Sequence, residues 1–404
     1  MRLPLAGKWC AIAVLAAVLL QPAYAYSAEP FDAWLETLRA EAIAEGVRPE
    51  TVANALARAQ QNPRVLALDQ RQPELLQPFW QYLDARVTPA RIERARQMLV
   101  QHQDLLDRVQ RLYGVQPRFL VAFWALESSF GDDTGSFELI DALATLAFDG
   151  RRSAFFRAQL IALLQLIDRG DIGVAARGSW AGAMGQPQFM PTTYKEFAVD
   201  ADGDGRRDLW RSLPDVLASA ANYLAQSGWH ANETWGREVA LPAEFDLALS
   251  GPEISLPLVE WQRLGVRLPD GSDLPQAEMQ ASLLLPAGID GGPALLIYPN
   301  FQVIMTWNRS LLYAIAVGHL ADRMAGGPPF SAPRPAAESN LSRLDVQEVQ
   351  VMLARLGFDA GSADGVLGTK TRSALQSFQR SRALPADGYP SAPVIEHLRA
   401  VVSP

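Results

Sequence analysis

Apolar residues recur at three- and four-residue spacing through most of the chain between Phe31 and Ser227, and prolines and glycines stand where those runs begin and end. A period of 3.6 residues leaves each segment one apolar face to bury, which constrains the chain to pack helix against helix. The first run carries Phe31, Trp34, Leu35, Leu38 and Ala42, with Pro49 opening the next turn. Thr88-Pro89 reads as an N-cap and first-turn proline, opening a long amphipathic stretch to Tyr113 that Gly114 ends. Pro117 opens a helix holding Phe119, Leu120, Phe123, Trp124 and Glu127, with Gly131 as its stop. Further helix is expected at Asp141–Leu146, Ser153–Asp168, Leu213–Ser227 and Ile304–Met324.

The texture changes near Arg237. Prolines, glycines and short alternating apolar stretches, among them Phe245–Leu249, Ile254–Leu258 and Ala281–Leu285, predict a small β-rich insert over residues 237–299. Residues 325–340, AGGPPFSAPRPAAESN, have the composition of a flexible linker with too few apolar residues to pack. A separate module of three short helices is expected over residues 341–404, the first striped by Val346, Val349, Leu353 and Leu356. The fold expected is therefore mainly α: a main domain over residues 26–324 with an amino-terminal helical layer, the insert, the linker and the module.

Residues 1–25 read as a secretory signal peptide. Arg2 and Lys8 form a positive start, Ala11 to Leu20 an apolar run too short for a comfortable bilayer span, and Ala23-Tyr24-Ala25 a cleavage site. The single cysteine, Cys10, lies in that segment, so the mature chain would have no disulfide and no cysteine metal site. The expectation is an exported protein without a permanent membrane anchor. A formal net charge of −8 offers no basic field for a nucleic-acid backbone, so nucleic acid is not an expected partner.

Glu127 is the residue that most suggests chemistry. Trp124, Phe123 and Leu120 precede it by three, four and seven positions, which puts all of them on its helix face. An ionised carboxylate is costly beside aromatic rings, so such a glutamate tends to keep its proton and suits a general acid. Periodicity alone leaves a second reading, a solvated or arginine-paired carboxylate at the edge of the stripe. A metal loop is also suggested. Asp200, Asp202, Asp204 and Gly205 match the opening of an EF-hand loop, with Arg206 at the seventh position and Asp208 at the ninth. Arg211 stands at the twelfth, where a bidentate glutamate would complete it. An Asp/Gly-rich surface turn without metal is the alternative. The four histidines are scattered, and no zinc motif or nucleophile elbow is present.

The words around Glu127 carry a resemblance. Ala125-Leu126-Glu127-Ser128-Ser129-Phe130-Gly131 resembles the catalytic signature of lytic transglycosylases with a goose-type-lysozyme-like core. IDALATLAFDGRR (140–152), GSWAGAMGQPQFMPTTYKEFAVDADGDGRRDLW (178–210), ANYLAQSGW (221–229) and NFQVIMTWNRSLLYAIAV (300–317) resemble the membrane-bound lytic transglycosylase B family, in the family's order. In the module, Asp364-Gly365-Val366-Leu367-Gly368, then Thr371, Phe378 and Gln379, resemble the peptidoglycan-binding module with a three-helix fold.

The resemblance implies a lysozyme-like catalytic domain acting on peptidoglycan glycan strands in the periplasm. Glu127 would protonate the bond between N-acetylmuramic acid and N-acetylglucosamine, then take the proton of the sugar's 6-hydroxyl, leaving a 1,6-anhydro end. Ser179 and Gln188 match polar cleft residues, Arg151 and Arg152 a pair suited to substrate carboxylates, and Tyr82, Tyr223, Asn308 and Tyr313 sugar-binding positions. Trp307 stands where the family commonly has tyrosine, and Gln186 where some members have a bulkier aromatic. Asp215 matches a carboxylate used near the metal loop, so structural calcium is the candidate ion, with no cofactor needed for the chemistry. A monomer is expected, with cell-wall synthases as candidate partners. Two alternatives remain: a hydrolytic muramidase pairing Glu127 with Asp132, Asp133 or Asp141, and a non-catalytic wall-binding scaffold.

Overall fold

Prolines at the first turn start many of the helices, as their fixed φ and missing N–H allow. The computed structural model describes residues 30–70, 77–148, 152–336 and 341–402, so the expected signal peptide lies outside the described residues. In chain order come α1 (Phe31–Ala44), α2 (Pro49–Leu56), α3 (Pro63–Gln70), α4 (Phe79–Arg86), α5 (Pro89–Gln101), α6 (Gln103–Tyr113) and α7 (Pro117–Ser128). Then follow β1 (Phe137–Glu138), α8 (Leu139–Phe148), α9 (Ser153–Asp168), β2 (Arg177–Gly178), α10 (Pro191–Phe197) and α11 (Leu213–Gln226). The molecule is mainly helical, and no described helix is long and apolar enough to cross a membrane.

The stretch expected to run unbroken from Thr88 to Tyr113 is two helices. Thr88 caps the first, its Oγ1 accepting from the Arg91 amide at 3.1 Å. His102 then leaves helical geometry at φ −112°, ψ 20°. The break lets the halves pack in different directions, α5 against α7 and α14 (Leu311–Met324), α6 against α11.

Two helical cores meet along a seam. In the first, α7 is buried on every side, with Phe119, Leu120, Val121, Ala122 and Phe123 all within the core of α4 to α6, α11 and α14. A helix apolar all round is a central helix, and that is its place here. The second core joins α1 and α2 to α8, α9 and α10. Tyr223 and Trp307 pack against both cores and so lie along the seam.

The insert is an antiparallel sheet in the order β3-β6-β5-β4, from β3 (Gly236–Val239), β4 (Leu256–Pro257), β5 (Gln280–Leu284) and β6 (Ala294–Ile297). A short helix, α12 (Leu258–Arg263), buries Trp261 in the sheet's own core. Phe245–Leu249, expected as a strand, is not one: Asp246 turns the chain by accepting from the Ala248 amide, and a 3-10 turn follows at Leu247–Leu249. The chain re-enters the first core through α13 (Pro299–Trp307) and α14, separated at Asn308 to Ser310.

The expected flexible linker needs correcting over its described part. Phe330 stacks on the buried His319 with ring centroids 4.0 Å apart. The Ser331 and Ala332 amides donate to Glu238, and Arg334 pairs with Asp84 while lying over the Trp80 ring. One aromatic anchor and a few polar fixings hold a segment that composition marked as unable to pack.

The module folds as α15 (Arg343–Arg355), α16 (Thr369–Ser381) and α17 (Ala392–Val402) around Leu353, Leu375, Phe378 and Leu398. Its motif residues maintain that fold. Gly365 is left-handed at φ 75°, with its amide donating to Gln350 Oε1, and the buried Thr371 hydroxyl donates to the Ala360 carbonyl. The module rests on the insert: Gln376 Nε2 donates to the Ser250 carbonyl at 2.8 Å, and the Ile289 amide to Asp387 Oδ2 at 3.1 Å.

Candidate active site

Glu127 is half-buried in the last turn of α7, and the residues after it turn sharply away. Ser129, Phe130 and Gly131 all have positive φ, 49°, 64° and 86°. Two of these are not glycine, so the turn carries backbone strain that the surrounding structure must offset. The offset is visible in hydrogen bonds. The Phe130 amide donates to the Trp124 carbonyl at 3.1 Å, the Gly131 amide to Ser128 Oγ at 3.0 Å, and the Asp133 amide to the Ser128 carbonyl at 2.9 Å.

Across from α7, Ser310 caps α14, its Oγ accepting from the Tyr313 amide. That fixes Tyr313 in the first turn, and its phenol donates to Glu127 Oε1. Burial, with the Glu127 charge beside it, pushes the Tyr313 phenol well above its ordinary value near 10, so it remains a neutral donor. Tyr82 is buried close enough to add to that shift, and the Arg86 guanidinium covers its ring.

The seam is aromatic. Trp307 lies against Phe123, Phe189 and Tyr223, with centroids 4.5, 5.3 and 5.1 Å away. The Tyr223 hydroxyl donates to the Thr306 carbonyl, and exposed Asn308 caps the end of α13 while accepting from the Ser310 amide.

The opposite wall is a small β-structure after α7. β1 pairs with β2, then Gly178 bridges Met184 and Met184 bridges Phe189. Ser179 closes the tight turn: its amide donates to the Ala183 carbonyl, its carbonyl accepts from the Gly182 amide, and its Oγ accepts from the Ala183 amide at 2.9 Å. Gln188 is held left-handed at φ 51°, and its Nε2 donates to the Gly185 and Thr134 carbonyls. Close approach explains Gly135: a Cβ there would lie 2.1 Å from the Gly178 carbonyl carbon.

The remaining predicted positions sit elsewhere. Arg152 pairs with the buried Asp69 at 2.6 Å and covers the Phe156 ring, so its guanidinium already has a structural partner. Arg151 lies outside the described residues. Among the candidate second carboxylates, Asp132 pairs with Arg94 at 2.6 Å and Asp133 accepts from the Gly135 amide. Asp141 accepts from the Gln60 amide, and burial raises its pKa.

The acidic loop gathers Asp200, Asp202 and Asp204, with one carboxylate oxygen of each within 4.8 Å of the others. Three exposed oxygens in that spacing suit a hard cation of calcium size. Asp208 and Asp215 also hold main-chain amides. Asp208 Oδ1 accepts from the Trp210 and Arg211 amides, while fully buried Asp215 accepts from the Ala201 and Asp208 amides at 2.7 and 2.8 Å. The Arg206 amide donates to Asp204 Oδ1.

Sequence reasoning named Trp124 and Gln186 but missed that together they brace α7. The Trp124 indole N–H donates to Gln186 Oε1 at 2.7 Å, and His102 packs edge-on against the same indole. The signal for Trp124 was only its place on the Glu127 face.

A glutamate ending a buried central helix, with a β-turn wall opposite and an aromatic seam beside it, is the arrangement of a lysozyme-like scaffold. The chain matches the family Transglycosylase SLT domain over residues 30–322 and belongs to that family, and residues 342–398 match a peptidoglycan binding domain. It is 34% identical over 250 residues to membrane-bound lytic murein transglycosylase B of Escherichia coli (strain K12), covering 59% of this chain. The chain spans 65% of the length of that curated relative. The crystal structure of SltB3 from Pseudomonas aeruginosa in complex with NAG-anhNAM-pentapeptide is 44% identical, covering 91% of this chain and 99% of that one, with a TM-score of 0.88. The Escherichia coli lytic transglycosylase Slt35 in complex with calcium is 29% identical over 72% of this chain and 92% of its own, with a TM-score of 0.62.

Proposed function

We propose that this protein is a periplasmic lytic transglycosylase that cleaves the MurNAc-β-1,4-GlcNAc bond of peptidoglycan without water. The observation that carries the reading is the Tyr313–Glu127 hydrogen bond at the head of the aromatic seam. It orients one carboxyl, while Asp132, Asp133 and Asp141 are each engaged elsewhere. A single-carboxylate mechanism fits that inventory better than an acid–nucleophile pair.

In the first step the Glu127 proton passes to the glycosidic oxygen as the C1–O bond breaks, and the 2-acetamido oxygen of the muramoyl residue stabilises the positive sugar. In the second, ionised Glu127 takes the proton of the 6-hydroxyl, whose oxygen closes on C1. The carboxyl is reprotonated, and the product is a 1,6-anhydromuramoyl end. Tyr313 stays neutral throughout and donates to the carboxyl in either state. Ser179, Gln188, Tyr82, Tyr223, Trp307 and Asn308 are the proposed sugar-contacting residues; Arg151 and Arg152 are proposed to meet substrate carboxylates.

The relative bound to NAG-anhNAM-pentapeptide supports peptidoglycan as substrate, and the relative bound to calcium supports a structural calcium at Asp200, Asp202 and Asp204, with the Arg206 carbonyl, Asp208 and Asp215 completing or bracing the loop. The module would hold the enzyme on its polymer and raise the local substrate concentration. A monomer, with cell-wall synthases as candidate partners, completes the reading. The test is mass spectrometry of muropeptides released from purified sacculi by wild type and Glu127→Gln. Anhydro ends from wild type alone support it; reducing ends redirect it to hydrolysis, and binding without release to a scaffold.

A further inference from the structure

Gln186 grips the segment carrying Glu127 at two points. Its Oε1 accepts from the Trp124 indole N–H at 2.7 Å, one turn before Glu127 on the same helix. The same oxygen lies against Gly131, the last of the left-handed residues after Glu127, where an added Cβ would stand 2.6 Å away. Its far side is anchored on main chain: Nε2 donates to the Trp210 carbonyl and the amide to the Leu209 carbonyl, both at 2.8 Å. These carbonyls follow directly on the acidic loop. A half-buried carboxamide thus uses both its ends to join a fixed backbone to the stretch 124–131.

The need for such a tie is local. Ser129 and Phe130 are strained, and a strained turn relaxes unless its neighbours over-determine it. Tyr313 fixes the carboxyl from the α14 side, but it does not reach the turn through any of its own bonds described above. Gln186 holds the opposite side. Trp124 is itself pinned between His102 and Phe130, with centroids 5.8 and 5.5 Å from its ring, so a shift at Gln186 passes into α7 rather than being absorbed by a free side chain.

We propose that Gln186 is a positioning residue, which sets the placement of Glu127 through Trp124 and Gly131. The proposal rests on Glu127 being the acid of the reading above. It predicts that loss of the carboxamide lowers kcat while leaving KM nearly unchanged, because sugar contacts elsewhere in the cleft persist.

The full-length protein is tested as Gln186→Leu, as Trp124→Phe and as the double variant, with kcat and KM measured on soluble glycan strands. Indole N–H signals are followed by NMR in tryptophan-labelled protein, the Trp124 signal being the one absent in Trp124→Phe. Gln186→Leu is expected to lower kcat roughly tenfold to a hundredfold, the range for small misplacements of a reacting group, with KM within about twofold. Trp124→Phe removes the same bond from the other side and should lower kcat similarly, even if Gln186→Leu folds poorly. The double variant should lose little beyond either single one, the non-additivity of two groups acting through one contact. A Gln186→Leu protein with a displaced Trp124 signal and wild-type kcat overturns the proposal, as do losses that multiply in the double variant. Absence of turnover by wild type defeats the functional reading itself, a result distinct from both.

Discussion

Tyr313, in the first turn of α14, donates its phenol hydrogen bond to Oε1 of Glu127, in the last turn of α7. The two helices pack directly on each other, so the bond is set by the core and not by a mobile loop. The polar contact is buried on the tyrosine side and half-buried on the glutamate side.

Glu127→Gln is expected to lower the release of anhydromuropeptides about 10²- to 10⁴-fold, the usual contribution of a general acid–base group. Tyr313→Phe keeps the ring and removes only the donor. A hydrogen bond to a charged group contributes roughly 1.5–3 kcal/mol, so a fall in kcat of about tenfold to a hundredfold is expected. The phenol pKa lies well above 10 in the folded chain, so the folded state keeps this proton more tightly than the unfolded one. The corresponding stability is complete below about pH 10 and declines as pH rises beyond it. Equal kcat in Tyr313→Phe and wild type would remove Tyr313 from the mechanism.

Glu127 and the helix under it were legible because a helical period, a first-turn proline and a short family signature fall in one segment, but the helix ends at Ser128 with left-handed Ser129 as its cap, two residues before the glycine expected to stop it. The three-helix module was equally legible from its apolar stripes. What escaped was whatever depends on distant partners. The break at His102 follows from α5 and α6 packing against different helices, which no local period reveals. The same holds for Arg152, whose buried partner Asp69 is 83 residues away. Phe330 was one aromatic in a Pro/Gly-rich stretch, and only its stacking on the distant, buried His319 of α14 makes it an anchor. Asp215 read as a member of the metal set, yet it lies beneath the loop holding main-chain amides.

His319 makes stability depend on acid. Burial and the nearby Arg323 charge push its pKa down to about 4, from an ordinary value near 6.5. The unfolded chain therefore binds the proton more readily, and stability is complete above about pH 6.5 and lost as pH falls toward 4. The full effect is on the order of 3 kcal/mol. His319→Phe, which keeps a ring against Phe330, should flatten this part of the pH curve in urea unfolding. A variant as acid-sensitive as wild type between pH 6.5 and 4 would assign the loss to other groups.

Calcium should raise the melting temperature, and a chelator should reverse the rise. At a hundredfold excess over Kd, binding to the folded state alone adds about 2.7 kcal/mol. Asp204→Ala removes one of the three clustered carboxylates and should weaken or abolish the response. Asp215→Ala should destabilise the chain with or without calcium, since it leaves the Ala201 and Asp208 amides without the buried carboxylate that accepts from them. Identical melting curves with calcium and chelator would exclude a structural calcium.

The module's seat on the insert is made by few groups, and Gln376 is a buried polar one on the module side. Its Nε2 serves both the carbonyl and the hydroxyl of Ser250, itself buried, at 2.8 and 3.0 Å. Arg372 reaches the Leu285 and Pro286 carbonyls at longer range, 3.5 and 3.3 Å, and burial lowers its pKa, so it is held there at a desolvation cost. Gln376→Ala strands the Ser250 carbonyl, while the Ser250 hydroxyl keeps its bond to the Leu247 carbonyl, a penalty of about 1–3 kcal/mol that falls on docking rather than on either fold. The expected result is a larger radius of gyration in small-angle scattering and a separate melting transition for the module. Turnover of short soluble glycans should be unchanged, because no residue of this seat lies on the Glu127 cleft described above. An unchanged radius with a single transition would mean that the remaining contacts, among them the Ile289–Asp387 bond, suffice to hold the module in place.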